Sequence, residues 1–242
     1  MIDVFWVLLA AHCYGDFLLQ NRWMALGKSL PSWNLRLLPW GVHCGIHGLL
    51  AYVLLQDWSL WYAPLLIFIF HGAIDWFKPR RFAPAATFAI DQAFHVASVF
   101  VVMALLDVLS PEGVGFTGLG FDWIVGGAGF CAVVFGSGFF IAAVAASIID
   151  DNQPLREQLG RSLPNGGKMI GQLERALIFV LFLVNQPAGV GVLIAAKSIL
   201  RFEEAKRQQM AEYVLIGTLW SFGLAILLSW GTFKVMQTNL LR

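Results

Sequence analysis

Residues 86–108 read ATFAIDQAFHVASVFVVMALLDV, and this stretch decides the fold. A helix rising about 1.5 Å per residue needs about 20 mostly apolar residues to cross a hydrocarbon core about 30 Å thick. The stretch has that length, and its ionisable residues are Asp91, His95 and Asp107. Similar apolar runs occupy residues 2–20, 40–56, 60–77 and 122–149, followed by runs near 169–185, 188–202 and 212–234. The pattern predicts an all-α, polytopic transmembrane helix bundle of about eight spans. Seven is the alternative count, because the two runs flanking Asn185-Gln186-Pro187-Ala188-Gly189 are both short. That pair reads as a tight helical hairpin or as two re-entrant half-helices, with Pro187 and Gly189 marking the break either way.

Composition supports the same class. The 242 residues are 58% hydrophobic and only 13% charged, about half the charge of a soluble domain. Such a chain is not disordered, does not bind nucleic acid through a basic surface, and is not a secreted disulfide scaffold. Cys13, Cys44 and Cys131 all lie in apolar stretches without zinc-type spacing. The first apolar run has no basic flank ahead of it and contains His12 and Asp16, so it reads as a retained span and not as a cleaved signal.

The loops alternate in charge. Arg22, Lys28 and Arg36 follow the first span, and Lys78, Arg80 and Arg81 follow the third. Arg156, Arg161 and Lys168 follow the fifth, and Arg201, Lys206 and Arg207 precede the last. The intervening loops hold Asp57, then Asp107, Glu112 and Asp122, with no base. By the positive-inside rule the basic loops are cytoplasmic and both termini lie outside. Trp58, Trp61, Trp123 and Trp230 fall near the expected outer interface, and Trp23, Trp33, Trp40 and Trp76 near the inner one. The glycines at 126, 127, 129, 136 and 138 give the fifth span a small face suited to close helix packing.

All five histidines fall into one pattern. His12 pairs with Asp16, His43 with His47, His71 with Asp75, and Asp91 with His95. Each pair has i,i+4 spacing, which puts both side chains on one helix face. Each lies on a different one of the first four spans, near the cytoplasmic end expected from the loops. Ionisable groups at membrane depth cost about 2.5–3.5 kcal/mol each on the lenient insertion scale, so something must offset them. Five imidazoles and three carboxylates form a donor set that zinc, iron or manganese accepts, as one ion with a supporting shell or as two ions. A single His-x-x-x-Asp pair usually only hydrogen-bonds along its helix. The shared depth of four pairs is what favours a divalent transition metal over internal glue or a proton or cation pathway. The outer halves of these spans carry almost no polar group, which counts against a pathway.

In the second half, Arg175, Lys197 and Arg201 lie at or inside cytoplasmic helix ends. Basic residues there commonly snorkel and set topology. As substrate-binding residues they would hold a phosphate or carboxylate head group. The domain reading is a four-helix His/Asp metal-site bundle over 1–110, with the C-terminal transmembrane helices over 111–242, in one integral membrane unit.

Several stretches are also familiar together: His12-Cys-Tyr-Gly-Asp-Phe-Leu-Leu-Gln20, His43-x-x-x-His47, Asp91-Gln-Ala-Phe-His95, residues 167–175 (GKMIGQLER), 195–202 (AAKSILRF) and 212–218 (EYVLIGT). By these the chain resembles the bacterial multi-pass membrane family catalogued as domain of unknown function 3307. The likeness implies a multi-pass protein of the bacterial inner membrane and names no reaction. In its His/Asp pattern alone, the chain is also similar to membrane-bound metal-dependent hydrolases. The expected function is therefore a membrane-embedded metalloprotein, foremost a hydrolase of a lipid or lipid-linked phosphate. A divalent cation or proton transporter, a di-iron oxidoreductase and a structural membrane subunit are the alternatives.

Overall fold

The computed structural model describes residues 2–78, 83–110, 112–114, 118, 120–150, 152–153, 165–200 and 208–240. Among these, helices follow the apolar runs read above. Helix α1 (Ile2–Cys13) continues into a π-helical segment, Tyr14–Leu19. A short α2 (Arg22–Gly27) precedes α3 (Trp33–Leu55), α4 (Ala63–Phe77) and α5 (Pro84–Leu109). Next, α6 (Phe121–Cys131) passes through a second π segment, Ala132–Gly136, into α7 (Ser137–Asp150). Helices α8 (Gly166–Leu183), α9 (Gly189–Leu200) and α10 (Gln208–Leu240) complete the described elements. Among the described residues, five stretches are long and apolar enough to cross a membrane: Ile2–Leu19, Trp33–Leu55, Pro84–Leu109, Phe121–Ile149 and Met210–Thr238. Helices α4 and α9 are apolar but shorter. The chain is thus an all-helical membrane protein.

Two compact units form. The first comprises residues 1–82 and 89–131, the second 83–88 and 132–242. In the first unit α1 is the central helix. Val4, Phe5, Val7, Leu8, Ala10, Ala11 and His12 are buried on the broad face with which it packs against α3 and α6. His12 lies on that face, which brings its imidazole into the unit's interior. Close approach fixes the rest: the backbone of Gly48 in α3 lies against the Pro64 carbonyl of α4, and Gly127 of α6 lies against the Tyr14 ring and hydroxyl. A β-carbon at either glycine would collide with its neighbour, so the small residues permit helix contact, as the glycine-rich fifth run predicts. Tyr14 also donates to the Ile124 carbonyl at 2.9 Å.

The basic segment after the first span contains a helix that hydropathy does not reveal. The N–H of Met24 donates to the Asn21 side chain at 3.0 Å, which caps α2 and sets Lys28 at its end. Trp58, Trp61, Trp123, Trp230, Trp23 and Trp33 are exposed, as interfacial residues are expected to be. Trp40 and Trp76 instead pack together with ring centroids 5.4 Å apart, and the Trp40 indole donates to the Gly72 carbonyl.

In the second unit α8 and α9 form an antiparallel hairpin. Gly189 approaches Leu181, Lys197 pairs with Glu174 at 2.6 Å, and Asn185 turns the chain with φ of +56°. The Asn185–Gly189 break thus joins two antiparallel helices, of which α9 is shorter than a full span.

Candidate metal centre

Asp16 stands in the π segment that extends α1. Such a segment carries one residue more per turn than ordinary helical pitch allows and so changes the direction in which its side chains leave the axis. One carboxylate oxygen of Asp16 thereby meets three imidazoles from two other helices. Its Oδ1 lies 3.2 Å from Nε2 of His43, 3.2 Å from Nε2 of His47 and 3.9 Å from Nε2 of His71. The Nε2 atoms of His43 and His71 are 3.0 Å apart. One donor atom from each of Asp16, His43, His47 and His71 lies within 4.8 Å of every other. A tetrahedral ion with bonds of about 2.0–2.1 Å holds its ligand atoms about 3.3 Å apart. The observed spacing is close to that edge, so these buried groups can hold a metal ion.

Hydrogen bonding points the same way. Asp16 Oδ1 and His47 Nε2 are buried without a hydrogen-bond partner among the described residues, as are His43 Nδ1, His95 Nε2 and Asp91 Oδ1. Buried polar atoms are nearly always satisfied, because an unmet one costs about 1–3 kcal/mol. Five in one layer leave that layer able to take a further partner.

Gly15 makes room for the cluster. A β-carbon there would overlap the His47 ring, so only glycine lets the imidazole lie against the π-helical backbone. The His47 ring in turn stacks on His71, with centroids 3.6 Å apart.

The other four members of the constellation surround this core in different ways. His71, Asp75 and His95 form a second convergent group that shares His71 with the first. An imidazole nitrogen has one lone pair, so His71 Nε2 serves one group at a time. Nδ1 of His95 pairs with the Asp91 carbonyl oxygen at 2.9 Å, which orients the ring and leaves Nε2 free. Nε2 of His12 is 3.1 Å from Oε1 of Gln92, whose amide Nε2 donates to Asp16 Oδ2 at 3.2 Å. The rings of His12 and His95 stack with centroids 4.9 Å apart.

Two carboxylates have their own cations. Lys28 Nζ lies 2.7 Å from Asp75 Oδ2, and Lys78 Nζ lies 2.7 Å from Asp91 Oδ2. Asp16 has no lysine or arginine partner among the described residues. The eight residues grouped by spacing therefore divide. Asp16, His43, His47 and His71 converge, while Asp75 and Asp91 are held by lysines, and His12 and His95 line the same layer.

Lys28, Lys78, Gln92 and Gly15 are the residues that spacing arguments miss. Both lysines belong to the basic loops, where topology alone accounts for them. Gln92 follows Asp91 directly, and being polar at membrane depth was its only sign.

In the second unit Arg175 is 4% exposed. Its Nε and Nη2 donate to the Val134 carbonyl at 3.2 and 2.8 Å, and its Nη1 donates to Ser221 at 3.3 Å. The π segment at Ala132–Gly136 releases that carbonyl from the ordinary helical ladder. Gly138 and Gly171 flank the guanidinium, and a β-carbon at either would come within 3.0 Å of it. Lys197 is paired with Glu174 and lies over the Phe222 ring at 4.9 Å. Arg201 lies outside the described residues. Ser98 donates to the His95 carbonyl at 2.7 Å, as a hydroxyl in a membrane helix commonly does.

Residues 4–114 match the model of the family described as "Protein of unknown function (DUF3307)", which supports the resemblance read from the motifs. The matched span contains all eight residues of the constellation. The motifs after residue 165 lie beyond it. No curated protein and no solved structure matches the chain.

Proposed function

We propose that this protein is a membrane-embedded, metal-dependent hydrolase of a lipid or lipid-linked phosphate, with one transition-metal ion at Asp16, His43, His47 and His71. The observation that carries the reading is the asymmetry among the carboxylates. Asp75 and Asp91 each have a lysine, whereas Asp16 has four imidazole nitrogens within 3.9 Å and one amide. A cation is what that corner requires. Three imidazoles with one carboxylate suit zinc, and iron or manganese are compatible with the same donors.

An ion held there would polarise the scissile group and, on taking a water as a further ligand, would lower that water's pKa. The chain's own residues supply the rest. Gln92 holds Asp16 and His12 in register, and the His95–Asp91 backbone contact fixes the ring that faces His71. The lysines hold two further carboxylates in ion pairs. Burial keeps bulk water from competing for the ligand atoms. The apolar helices support a substrate delivered within the bilayer, and the basic loops favour the cytoplasmic leaflet of a bacterial inner membrane. Arg175, Lys197 and Arg201 are further candidates for binding substrate charge.

The test is elemental analysis of protein purified in mild detergent without chelators, followed by phosphate release from a panel of lipid phosphomonoesters and diphosphates. The expected result is near-stoichiometric zinc, iron or manganese, with turnover abolished by His47→Ala. A metal-free wild type overturns the site. Retained metal with no turnover, together with metal flux in proteoliposomes, replaces the hydrolase with a transporter.

A further inference from the structure

Asp75 stands between Lys28 and the imidazoles of two proposed metal ligands. Its Oδ2 accepts from Lys28 at 2.7 Å and lies 3.3 Å from His43 Nε2 and 3.7 Å from His71 Nε2, two atoms of the proposed ion site. One residue on, the Trp76 carbonyl accepts from Nη2 of Arg36 at 2.7 Å, with the guanidinium 4.0 Å from the Trp76 ring centroid. Arg36 has no carboxylate partner among the described residues, and its Nε is buried without a hydrogen bond. Lys28 and Arg36 thus close on consecutive residues at the end of α4.

Charge shows what this rim lacks. The layer holds Asp16, Asp75 and Asp91 against Lys28 and Lys78, with Arg36 adding a third base at the rim. With neutral imidazoles, as ligation requires, these groups balance. A divalent ion leaves an excess of about two positive charges in a mostly buried region, and burying uncompensated charge is costly. A phosphate monoester carries about two negative charges near neutral pH.

Resting on the metal reading above, we propose that Lys28 and Arg36 form a phosphate clamp that metal loading switches on. His43 and His71 would hold the ion, and the Asp75 carboxylate beside them would be drawn toward it. That weakens the hold of Asp75 on Lys28, and the freed ammonium, with the spare Nε of Arg36, takes phosphate oxygens beside the ion. Metal and phosphate therefore bind with positive coupling, and the coupling passes through Lys28. The two cations also give the site its substrate class: a terminal phosphate monoester, which offers three oxygens and the full charge, over a phosphodiester, which carries only one negative charge.

The experiment is calorimetric titration of inorganic phosphate into detergent-purified protein, with and without zinc. Variants Lys28→Met and Arg36→Met are titrated in parallel, with zinc content measured in each. The clamp requires phosphate to bind the zinc-loaded wild type at least tenfold more tightly than the zinc-free protein. It also requires Lys28→Met to keep its zinc while losing about ten- to a hundredfold in phosphate affinity, the worth of a charge-assisted hydrogen bond. Zinc binding with phosphate affinity that ignores either zinc or Lys28 overturns the clamp and leaves the metal site standing. Absence of zinc binding overturns both. Repeating the titration in nanodiscs with phosphatidic acid, against phosphatidylcholine alone, identifies the phosphate source. Competition by phosphatidic acid assigns the clamp to a lipid head group, and its absence assigns it to a free phosphate.

Discussion

Nε2 of His47 lies 3.2 Å from Oδ1 of Asp16, and neither atom makes a hydrogen bond among the described residues. Two polar atoms this close, on different helices and sealed from solvent, are placed for a third partner between them. His47→Ala removes one corner of the set. The expected loss of metal affinity exceeds the 10- to 100-fold typical of changes to outer partners. Metal content after dialysis against a graded chelator checks it, with Ser98→Ala as a control that retains metal.

Gly15→Ala tests the cluster without touching a donor atom. Its β-carbon would overlap the His47 ring, so the imidazole must rotate or the π segment must shift. Overpacking of this kind costs about 1–3 kcal/mol. The expected result is helical circular dichroism like wild type, a lower melting temperature, and metal content below half. Full retention of metal would mean that His47 is not a ligand.

Lys78 and Asp91 should behave as a coupled pair. Lys78 is partly exposed, whereas Asp91 is 4% exposed, so losing the lysine strands a buried carboxylate. Lys78→Met is expected to destabilise by about 1–3 kcal/mol, and adding Asp91→Asn should recover most of that. Thermal melts of the two single variants and the double close the cycle. Additive effects would mean the contact contributes nothing.

Arg175 distinguishes a structural role from substrate binding. Lysine cannot reproduce the two-pronged donation to the Val134 carbonyl plus the bond to Ser221. Arg175→Lys is expected to lower the melting temperature and leave metal content unchanged. If stability is kept and only turnover falls, the guanidinium binds substrate.

Removing the ion should also be visible in stability. A ligand that binds only the folded state adds about 2.7 kcal/mol at a hundred times its dissociation constant. Melting temperature should therefore fall with chelator and recover on adding back zinc, iron or manganese. The metal that restores it at the lowest free concentration is the best fitted. His47→Ala should show no such response.

Much of this was local, and so legible in the residues themselves. Apolar runs of bilayer length follow from composition over about 20 positions. The i,i+4 pairs follow from helical pitch, and a common depth follows from their distance to the basic loops. Those are one-dimensional properties, and they sufficed for an all-helical membrane protein with one His/Asp layer. The hairpin at Asn185–Gly189 was half legible: Pro187 and Gly189 marked the break, but antiparallel packing needed the Lys197–Glu174 contact to show it.

The division of labour within the layer was decided by tertiary structure alone. Lys28 and Asp75 are 47 residues apart, and Gln92 and Asp16 are 76 apart. Such pairings depend on how each helix is rotated about its axis, which spacing within one helix does not constrain. The π segment at Tyr14–Leu19 is the clearest case. Composition does not announce it, yet it aims Asp16 at three imidazoles and so separates the carboxylate that lacks a cation from the two that have one. Chain order sets which groups share a depth; only packing among helices sets which of them meet.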